Sequence, residues 1–235
     1  IASQIEAAWS PRTRGLLVAS PANPTGTLIP RVELDRLAAA VGKRGGVLLV
    51  DEIYHGLTYG TEPPTALELG DHVFVINSFS KYFGMTGWRL GWLVAPQECV
   101  RDLEKLAQNL FICPSAPAQH AALAAFEPAT IGILEQRRAE FRRRREYLLP
   151  ALRELGFVAH SEPEGAFYLY VRSDGLAEDS HDFAWRLIEE AGVAVTPGID
   201  FGENRPSAHM RFAYTTSIDK LAEGVRRLGT FRRAR

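Results

Sequence analysis

Apolar residues in the first eighty positions fall into short unbroken runs rather than alternating with polar residues. The runs are Gly15-Leu-Leu-Val-Ala19, Gly46-Val-Leu-Leu-Val50 and Val73-Phe-Val-Ile76. A run that is apolar at every position predicts a strand covered on both faces of its sheet. Between the first two runs, apolar residues recur at helical spacing from Pro30 to Gly42, which predicts a helix. Strands that alternate with helices predict an α/β fold with a three-layer, mainly parallel sheet.

Each of the three runs ends in a cluster of polar or turn-forming residues. The first run gives way to Ser20-Pro-Ala-Asn-Pro-Thr-Gly26, the second to Asp51-Glu-Ile-Tyr54 and the third to Asn77-Ser-Phe-Ser-Lys81. In sheets of this type, ligands bind beyond the carboxyl ends of the strands. The pattern therefore predicts that the three clusters face one crevice.

The rest of the chain predicts shorter strands and longer helices. We predict strands at 91–94, 166–171 and 209–214, and helices at 99–110, 118–126, 131–155, 181–191 and 218–228. Ser180 is expected to be the N-cap of the helix at 181–191, and Gly192 is expected to end it. The long charged segment 131–155 is expected to lead into a smaller α+β domain. We therefore place a large domain at 1–140 and a small C-terminal domain at 141–235.

Composition and charge exclude several classes of protein. Hydrophobic residues make up 46% and charged residues 23% of the 235 residues, which is typical of a globular protein. The formal net charge is -1, so no global field favours nucleic acid or an anionic membrane. The basic run Arg142 to Arg145 lies among Glu140, Glu146 and Glu154, and we interpret it as a solvated helix face.

The two cysteines, Cys99 and Cys113, have neither CxxC nor metal-ligand spacing, so no metal site is predicted. No signal peptide is recognisable, and no apolar run is long enough to span a bilayer. We therefore expect a cytoplasmic protein that binds neither membranes nor nucleic acid.

The candidate chemistry centres on Lys81, just past the third strand. Ser78 lies three residues before it and Arg89 eight residues after it. An amine forms a Schiff base with an aldehyde, and a guanidinium binds phosphate through two charge-assisted hydrogen bonds. The amine, the hydroxyl and the guanidinium together are therefore suited to a phosphorylated aldehyde.

Four segments in this order resemble the motifs of class I and II aminotransferases, which have the fold-type I architecture. They are Ser-Pro-Ala-Asn-Pro-Thr-Gly at 20–26, Asp-Glu-Ile-Tyr at 51–54, Ser-Phe-Ser-Lys at 78–81 and Gly-Trp-Arg-Leu-Gly at 87–91. The resemblance implies that pyridoxal 5'-phosphate (PLP) is the cofactor. It also implies that Lys81 forms the Schiff base and moves the proton between the substrate and cofactor carbons.

The resemblance implies a role for each neighbouring cofactor residue. Asp51 would pair with the pyridine nitrogen and keep the ring electron-withdrawing. Asn23 and Tyr54 would donate hydrogen bonds to the phenolic ring oxygen. Ser78 and Arg89 would bind the phosphate.

The substrate side of the resemblance lies in the second half of the chain. Arg211, in His-Met-Arg-Phe-Ala-Tyr at 209–214, matches the arginine that binds the substrate carboxylate, and the segments at 163–168 and 196–202 match small-domain segments of the family. Ser80 is a second candidate for the phosphate, although Ser78 matches better. The substrates implied are an amino acid and a 2-oxo acid, and the implied assembly is a homodimer whose sites use residues of both subunits.

Each of these residues also has a purely structural interpretation. A lone lysine is usually a solvated surface charge, and motif matches carry false positives. Asp51 could be a helix cap, Tyr54 a core aromatic and Arg211 part of a structural ion pair. The order of four motifs at strand ends favours function for the set. His55 has no role in the family and is interpreted as structural.

Two other functions share this fold. PLP-dependent carbon-sulfur lyases of the cystathionine type commonly show histidine where Tyr54 stands. Aminotransferase-like domains also serve as non-enzymatic, PLP-sensing effector modules of transcription regulators, often without the Asn-Pro-Thr-Gly pattern seen at 23–26. Both are kept as alternatives to an aminotransferase.

The beginning of the chain departs from the family. The chain opens on Ile1, and the segment before the first strand resembles the middle of a domain. Complete members begin earlier, with part of the small domain, a glycine-bearing phosphate loop and an aromatic residue stacked on the cofactor ring. We therefore expect a fragment that does not transaminate alone, and an active parent protein.

Overall fold

The computed structural model describes residues 2–60, 62–159 and 161–233. The described chain forms two compact units. The first contains the residues up to Ala22 together with Leu28–Gln136, and the second contains Asn23–Thr27 together with the residues from Arg137 onward. The division of the chain into domains at 1–140 and 141–235 stays a prediction.

The first unit is built on a four-stranded sheet. Its strands are β1 (Gly15–Ala19), β2 (Val47–Asp51), β3 (Val73–Ser78) and β4 (Gly91–Val94), in that spatial order. The first three strands are parallel, and β4 pairs with β3 in the antiparallel direction. The predicted α/β class with a mainly parallel sheet is therefore confirmed.

The register of the parallel strands aligns their carboxyl ends. Ala19 pairs with Asp51, and Asp51 pairs with Ile76. The ladder continues one step further, because the Glu52 N–H donates to the Ile76 carbonyl at 2.8 Å. The polar residues that follow these strands thus begin at one edge of the sheet.

Helices α1 (Ala2–Ala8) and α2 (Arg31–Gly42) cover one face of this sheet. Leu34, Leu37, Ala38 and Val41 are the buried apolar residues that predicted α2, and the core they join includes Leu48, Val50, Val73 and Val75. The remaining helices of the unit are α3 (Gln97–Leu110), α4 (Ala116–Ala124) and the first part of α5 (Pro128–Glu154). All four helices predicted between residues 30 and 155 are present.

The opposite face of the sheet is less covered than the unbroken apolar runs predicted. Leu17 on β1 is 65% exposed, and all four residues of β4 are exposed. Helix α3 has no buried residue, although its apolar positions form a stripe. Among the described residues, only one face of β1 is therefore covered, whereas the unbroken apolar run predicted that both faces would be.

The second unit has a three-stranded antiparallel sheet packed with helices. Its strands are β5 (Tyr168–Arg172), β6 (Thr196–Pro197) and β7 (His209–Ala213), in the order β5-β7-β6. Its helices are the later part of α5, then α6 (Ser180–Arg186), which a π-helical turn at Leu187–Ala191 continues, and α7 (Ile218–Arg233). This is the α+β arrangement predicted for the C-terminal part.

The start of α6 corrects one prediction. Asp179, not Ser180, is the N-cap, because its carboxylate accepts from the N–H groups of His181 and Asp182 at 2.8 and 3.1 Å. The Ser180 hydroxyl donates instead to the Pro206 carbonyl at 3.0 Å. The predicted stop at Gly192 is confirmed, with a left-handed φ of 62° after the last turn.

Helix α5 is the longest helix of the chain at 27 residues, and charged residues are spread along it. In the described part of the chain, no helix combines the length and the apolar character needed to cross a membrane.

A pair of valines on α2 tests how burial stabilises the first unit. Val41 is fully buried and Val32 is 58% exposed on the same helix. We expect Val41→Ala to lower the free energy of unfolding by about 2 kcal/mol more than Val32→Ala does, because it removes buried methyl groups and leaves a cavity. The change in helix propensity is common to both variants, so urea unfolding of the two isolates burial. Equal destabilisation would contradict this packing.

Candidate active site

Asp51 is the last residue of β2 and lies where the parallel strands end. One of its carboxylate oxygens, Oδ1, accepts the Ile53 N–H at 3.0 Å. The other oxygen has no hydrogen-bond partner among the described residues. The loop is therefore braced by one carboxylate oxygen, while the second is available to a ligand.

Tyr54 and Lys81, both predicted site residues, lie together in the first unit. Tyr54 is 3% exposed, and the Lys81 Nζ lies 5.6 Å from the centre of its ring. At this distance an ammonium is attracted to the face of an aromatic ring. The structure thus brings the loops after β2 and β3 into direct contact.

The loop that carries Lys81 is closed by its own hydrogen bonds. The Phe79 N–H donates to the Leu90 carbonyl at 3.1 Å, and the Gly84 N–H donates to the Lys81 carbonyl at 3.1 Å. The Thr86 hydroxyl donates to the Ser80 carbonyl at 2.7 Å. These bonds fold the segment between β3 and β4 back on itself, so the backbone of Lys81 is held in place.

Ser78 ends β3, and its hydroxyl is used within the loop. It accepts the Ser80 N–H at 3.0 Å and can donate its single proton to Ser80 Oγ at 2.9 Å or to the Leu90 carbonyl at 3.1 Å. The Ser80 hydroxyl proton has no acceptor among the described residues. Ser80, which the sequence ranked below Ser78, is therefore the serine with a free donor for a bound anion.

Arg89 adopts a left-handed conformation with φ 52° and is exposed. Its Nη1 donates to the Thr86 carbonyl at 2.8 Å. The side chain lines an open cleft of about 630 Å³ together with Trp88, Phe111 and Cys113. Lys81 and Asp51 are not among the residues that line this cleft, and the connection of Arg89 to Ser78 runs through the adjacent Leu90 carbonyl.

Arg211 lies on β7 of the second unit, between two aromatic rings. Its guanidinium carbon is 4.1 Å from the centre of the Tyr168 ring and 4.6 Å from that of Phe201. Nη1 donates to the Asn23 side-chain oxygen at 2.8 Å, and Nη2 donates to the Thr196 hydroxyl at 3.4 Å. The buried Nε has no hydrogen-bond partner among the described residues. The guanidinium is thus fixed in a plane and keeps unused donors.

Asn23, the predicted partner of the ring oxygen, is placed beside Arg211. Because its carbonyl oxygen accepts from Arg211, its amide N–H groups point elsewhere and can still donate. Gly26 anchors this loop: its carbonyl accepts the N–H groups of Glu164 and Gly165, each at 2.8 Å. With φ +69°, it approaches so closely that a Cβ there would lie 2.6 Å from the Gly165 carbonyl, so only glycine fits.

The sequence as a whole matches one family. The profile described as aminotransferase class I and II matches residues 2–228. The chain belongs to this family. The predicted fold-type I resemblance is thereby confirmed.

Named relatives agree with this assignment. Valine–pyruvate aminotransferase of Mycobacterium tuberculosis is 39% identical over 97% of the chain, and an aspartate aminotransferase of Streptomyces avermitilis is 36% identical over 96%. The chain spans only 60% and 58% of these two proteins.

Solved structures of the family are also similar. An aminotransferase from Mycobacterium tuberculosis superposes with a TM-score of 0.94 at 38% identity, covering 99% of this chain and 61% of that one. Aspartate aminotransferase of Thermus thermophilus, solved with maleate, gives 0.92 at 35% identity, with 100% and 60% covered.

A buried acid–histidine pair was not singled out from the sequence. Glu52 is 3% exposed. It accepts the Ala66 N–H at 2.6 Å and the Thr65 hydroxyl at 3.0 Å, and the His55 Nδ1 lies 3.3 Å away. The pair braces the turn between Asp51 and Tyr54, the two predicted cofactor residues on this loop.

One cluster outside these groups brings possible metal ligands together. Asp179, His181 and Asp182 place ligand atoms within 4.8 Å of one another. The Asp179 carboxylate is already used as the cap of α6, and the other two residues are exposed.

The pH dependence of stability tests the acid–histidine pair. Burial lowers the pKa of the His55 imidazole below its ordinary value of 6.5, although the neighbouring Glu52 carboxylate acts in the opposite direction. The unfolded chain therefore binds a proton near pH 6.5 before the folded protein does, and stability is lost as the pH falls below that value.

We expect His55→Gln to flatten this loss in urea unfolding measured between pH 7.5 and about 5, the range that brackets the ordinary histidine pKa. His120 is exposed, so His120→Gln is the matched control and should leave the curve unchanged. A steeper loss of stability in His55→Gln than in the unaltered protein would contradict the direction of the pKa shift.

Proposed function

We propose that the protein carrying this chain is a PLP-dependent aminotransferase that moves the amino group of an amino acid to a 2-oxo acid. Lys81 is the residue that carries the cofactor. The observation that supports this most directly is the placement of the Lys81 amine 5.6 Å from the Tyr54 ring, at the strand edge that also carries Asp51. Family membership supports the reaction class.

The residues at this edge fit a phosphorylated pyridine aldehyde. Asp51 retains one carboxylate oxygen without a partner among the described residues, which suits a protonated ring nitrogen. Lys81 is half-buried, and its amine can form a Schiff base with an aldehyde. The Tyr54 ring lies beside this amine, and the family resemblance assigns its phenol to the cofactor's ring oxygen.

The phosphate would be bound by the loop after β3. The Ser80 hydroxyl donates to no acceptor among the described residues, and Ser78 orients it through two hydrogen bonds. Arg89 follows at the end of the same loop. We therefore add Ser80 to the proposed phosphate residues Ser78 and Arg89. Asn23, whose amide N–H groups remain able to donate, is proposed for the ring oxygen, as the family resemblance implies.

The chain's own residues divide the work of transamination. The bound cofactor supplies an electron-withdrawing ring that accepts the electron pair left at the substrate α-carbon. Lys81 Nζ would act as the base that takes the proton from that carbon and as the acid that returns it. Asp51 stabilises positive charge at the ring nitrogen throughout, because its carboxylate is fixed before the reaction begins.

Arg211 is proposed to bind the α-carboxylate of the substrate. A guanidinium held flat between two rings loses little conformational entropy when it binds a carboxylate through two hydrogen bonds. Asn23 and Thr196 hold its orientation, and its remaining N–H groups are the donors for the ligand. The relatives act on different amino acids by name, valine in one and aspartate in another, so the proposal stops at the amino acid class.

Two further features belong to the same proposal. A homodimer is expected from the family. A cytoplasmic location is expected from the composition and from the free cysteines Cys99 and Cys113, which have neither CxxC nor metal-ligand spacing. The alternatives, a carbon-sulfur lyase and a PLP-sensing regulator domain, are separated by products. A transaminase releases a 2-oxo acid and aminates a second one, a lyase releases pyruvate and ammonia, and a sensor releases neither.

Replacing Lys81 tests the proposal. In the protein that carries this chain, reduction with borohydride in the presence of PLP should label Lys81, as read by peptide mass spectrometry. We expect Lys81→Ala to abolish the label and to lower the rate of 2-oxo acid formation by about 100-fold or more, the usual range for loss of a positioned proton-transfer group. Lys105, an exposed residue of α3 paired with Asp102, provides the control Lys105→Ala. Labelling that survives Lys81→Ala would contradict the proposal that Lys81 carries the cofactor.

Arg211 makes a separate prediction about substrate binding. We expect Arg211→Lys to raise the KM for an amino acid by about tenfold or more, because lysine cannot make the two-pronged contact. The preference for the amino acid over the corresponding amine without a carboxylate should fall by the same factor. Arg172→Lys, on the same sheet but paired with Asp174, is the control. A preserved preference in Arg211→Lys would show that the carboxylate binds elsewhere.

A further inference from the structure

Tyr82 directly follows the proposed cofactor lysine and makes two specific contacts. Its hydroxyl donates to Glu135 Oε1, on α5, at 2.6 Å. An O–H···O contact of this length is typical of a charge-assisted hydrogen bond to a carboxylate. The residue after Lys81 is thus tied to a helix that begins 46 residues further along the chain.

The second contact is between the Tyr82 ring and the backbone of Gly56. Gly56 has φ +85°, and a Cβ at this position would lie 2.6 Å from the ring atoms Cγ and Cδ2 of Tyr82. Side chains other than hydrogen are excluded by both the conformation and the space. The aromatic ring therefore lies directly on the turn that begins at Tyr54, whose carbonyl accepts the Leu57 N–H at 2.9 Å.

These contacts connect the two loops whose side chains meet at the site. Tyr82 is covalently next to Lys81, while Gly56 is two residues after Tyr54. The spacing between the loops, and with it the 5.6 Å from Lys81 Nζ to the Tyr54 ring, is bounded by the thickness of the Tyr82 ring. The hydrogen bond to Glu135 keeps the ring from sliding along Gly56.

We propose that Tyr82 is a positioning residue for Lys81, acting through its ring on Gly56 and its hydroxyl on Glu135. This rests on the proposed function, since it assumes that Lys81 carries the cofactor. The role assigned to Tyr82 is indirect and runs through Gly56 and Glu135. Tyr82 fixes the backbone from which the flexible lysine side chain reaches the aldehyde, so its removal lowers the fraction of molecules with the amine in reach.

Packing on the other side of the loop does not replace this contact. Phe83 joins an aromatic cluster with Phe79, Trp92 and Phe126, with ring centres 4.9 to 6.4 Å apart. That cluster anchors the loop to β4 and the end of α4. The distance between Lys81 and the Tyr54 turn is instead set by Tyr82. The Tyr82 ring meets Phe83 edge-on, with ring centres 5.1 Å apart.

The test is a titration of the cofactor-free protein with PLP, followed by absorbance and by borohydride trapping at Lys81. Tyr82→Phe keeps the ring and loses the hydrogen bond to Glu135. We expect it to weaken PLP binding by about fivefold, because only part of the free energy of one hydrogen bond to a charged group is transmitted to the cofactor site. Because unfolded protein does not bind PLP, a variant that is only partly folded would also show weaker apparent binding, by the reciprocal of its folded fraction. Urea unfolding of each variant measures that separately.

Two further variants sharpen the result. Tyr147 lies half-buried on the same α5, and its hydroxyl has no hydrogen bond among the described residues, so Tyr147→Phe is a matched control and should not move the midpoint. Glu135→Ala should weaken binding as much as Tyr82→Phe does. The double variant should be no weaker than either single one, because both remove the same interaction.

Different results would overturn the positioning role of Tyr82 and the proposed function. If trapping occurs at Lys81 but neither Tyr82→Phe nor Glu135→Ala moves the midpoint, the positioning role is wrong and the proposed function stands. Independent, additive losses in the double variant would also contradict it. If the unaltered protein is not trapped at Lys81, the proposed function fails first and the role of Tyr82 fails with it.

Discussion

The parallel pairing of β1, β2 and β3 is the constraint from which the geometry of the first unit follows. It places Ala19, Asp51 and Ile76 side by side, so that every segment leaving these strands starts at the same edge. Side chains alternate between the two faces of a strand. Because Leu48 and Val50 are buried against α2, Asp51 points to the other face, and a register slip of one residue would turn it into the apolar core. The burial of two apolar residues thus orients the carboxylate.

Much of this could be predicted from the sequence, because local patterns determine it. Unbroken apolar runs gave the strands, and helical spacing gave α2 and the later helices. Features that depend on distant partners were missed. The two-residue β6 exists only through its pairing with β7, and α1 has no buried residue to mark it. Ser180 and Asp179 are both good caps, and the choice between them depends on Pro206, which accepts from Ser180 across 26 residues.

The same division applies to the candidate site. The residue types and their order were readable because each follows a strand, and the structure places Tyr54 beside Lys81 and Asn23 beside Arg211. The hydrogen bonds of the serine hydroxyls could not be predicted from the sequence, because Ser78 Oγ meets the Leu90 carbonyl only when the loop folds back. The rings of Tyr168 and Phe201 around Arg211 come from a neighbouring strand and a turn, so no spacing in the sequence could have signalled them.

Loops that carry reactive side chains bury little apolar surface of their own, so something else must hold them still. Here two glycines allow it. Gly26 lets the Asn23 loop reach the backbone at Gly165, and Gly56 lets the Tyr54 turn meet the Tyr82 ring. In both cases the missing Cβ allows a contact that any side chain would prevent. The contact holds in place the backbone of Asn23 or Tyr54, which lies three or fewer residues away. The site therefore depends on close backbone approach as much as on the polar residues that perform the chemistry.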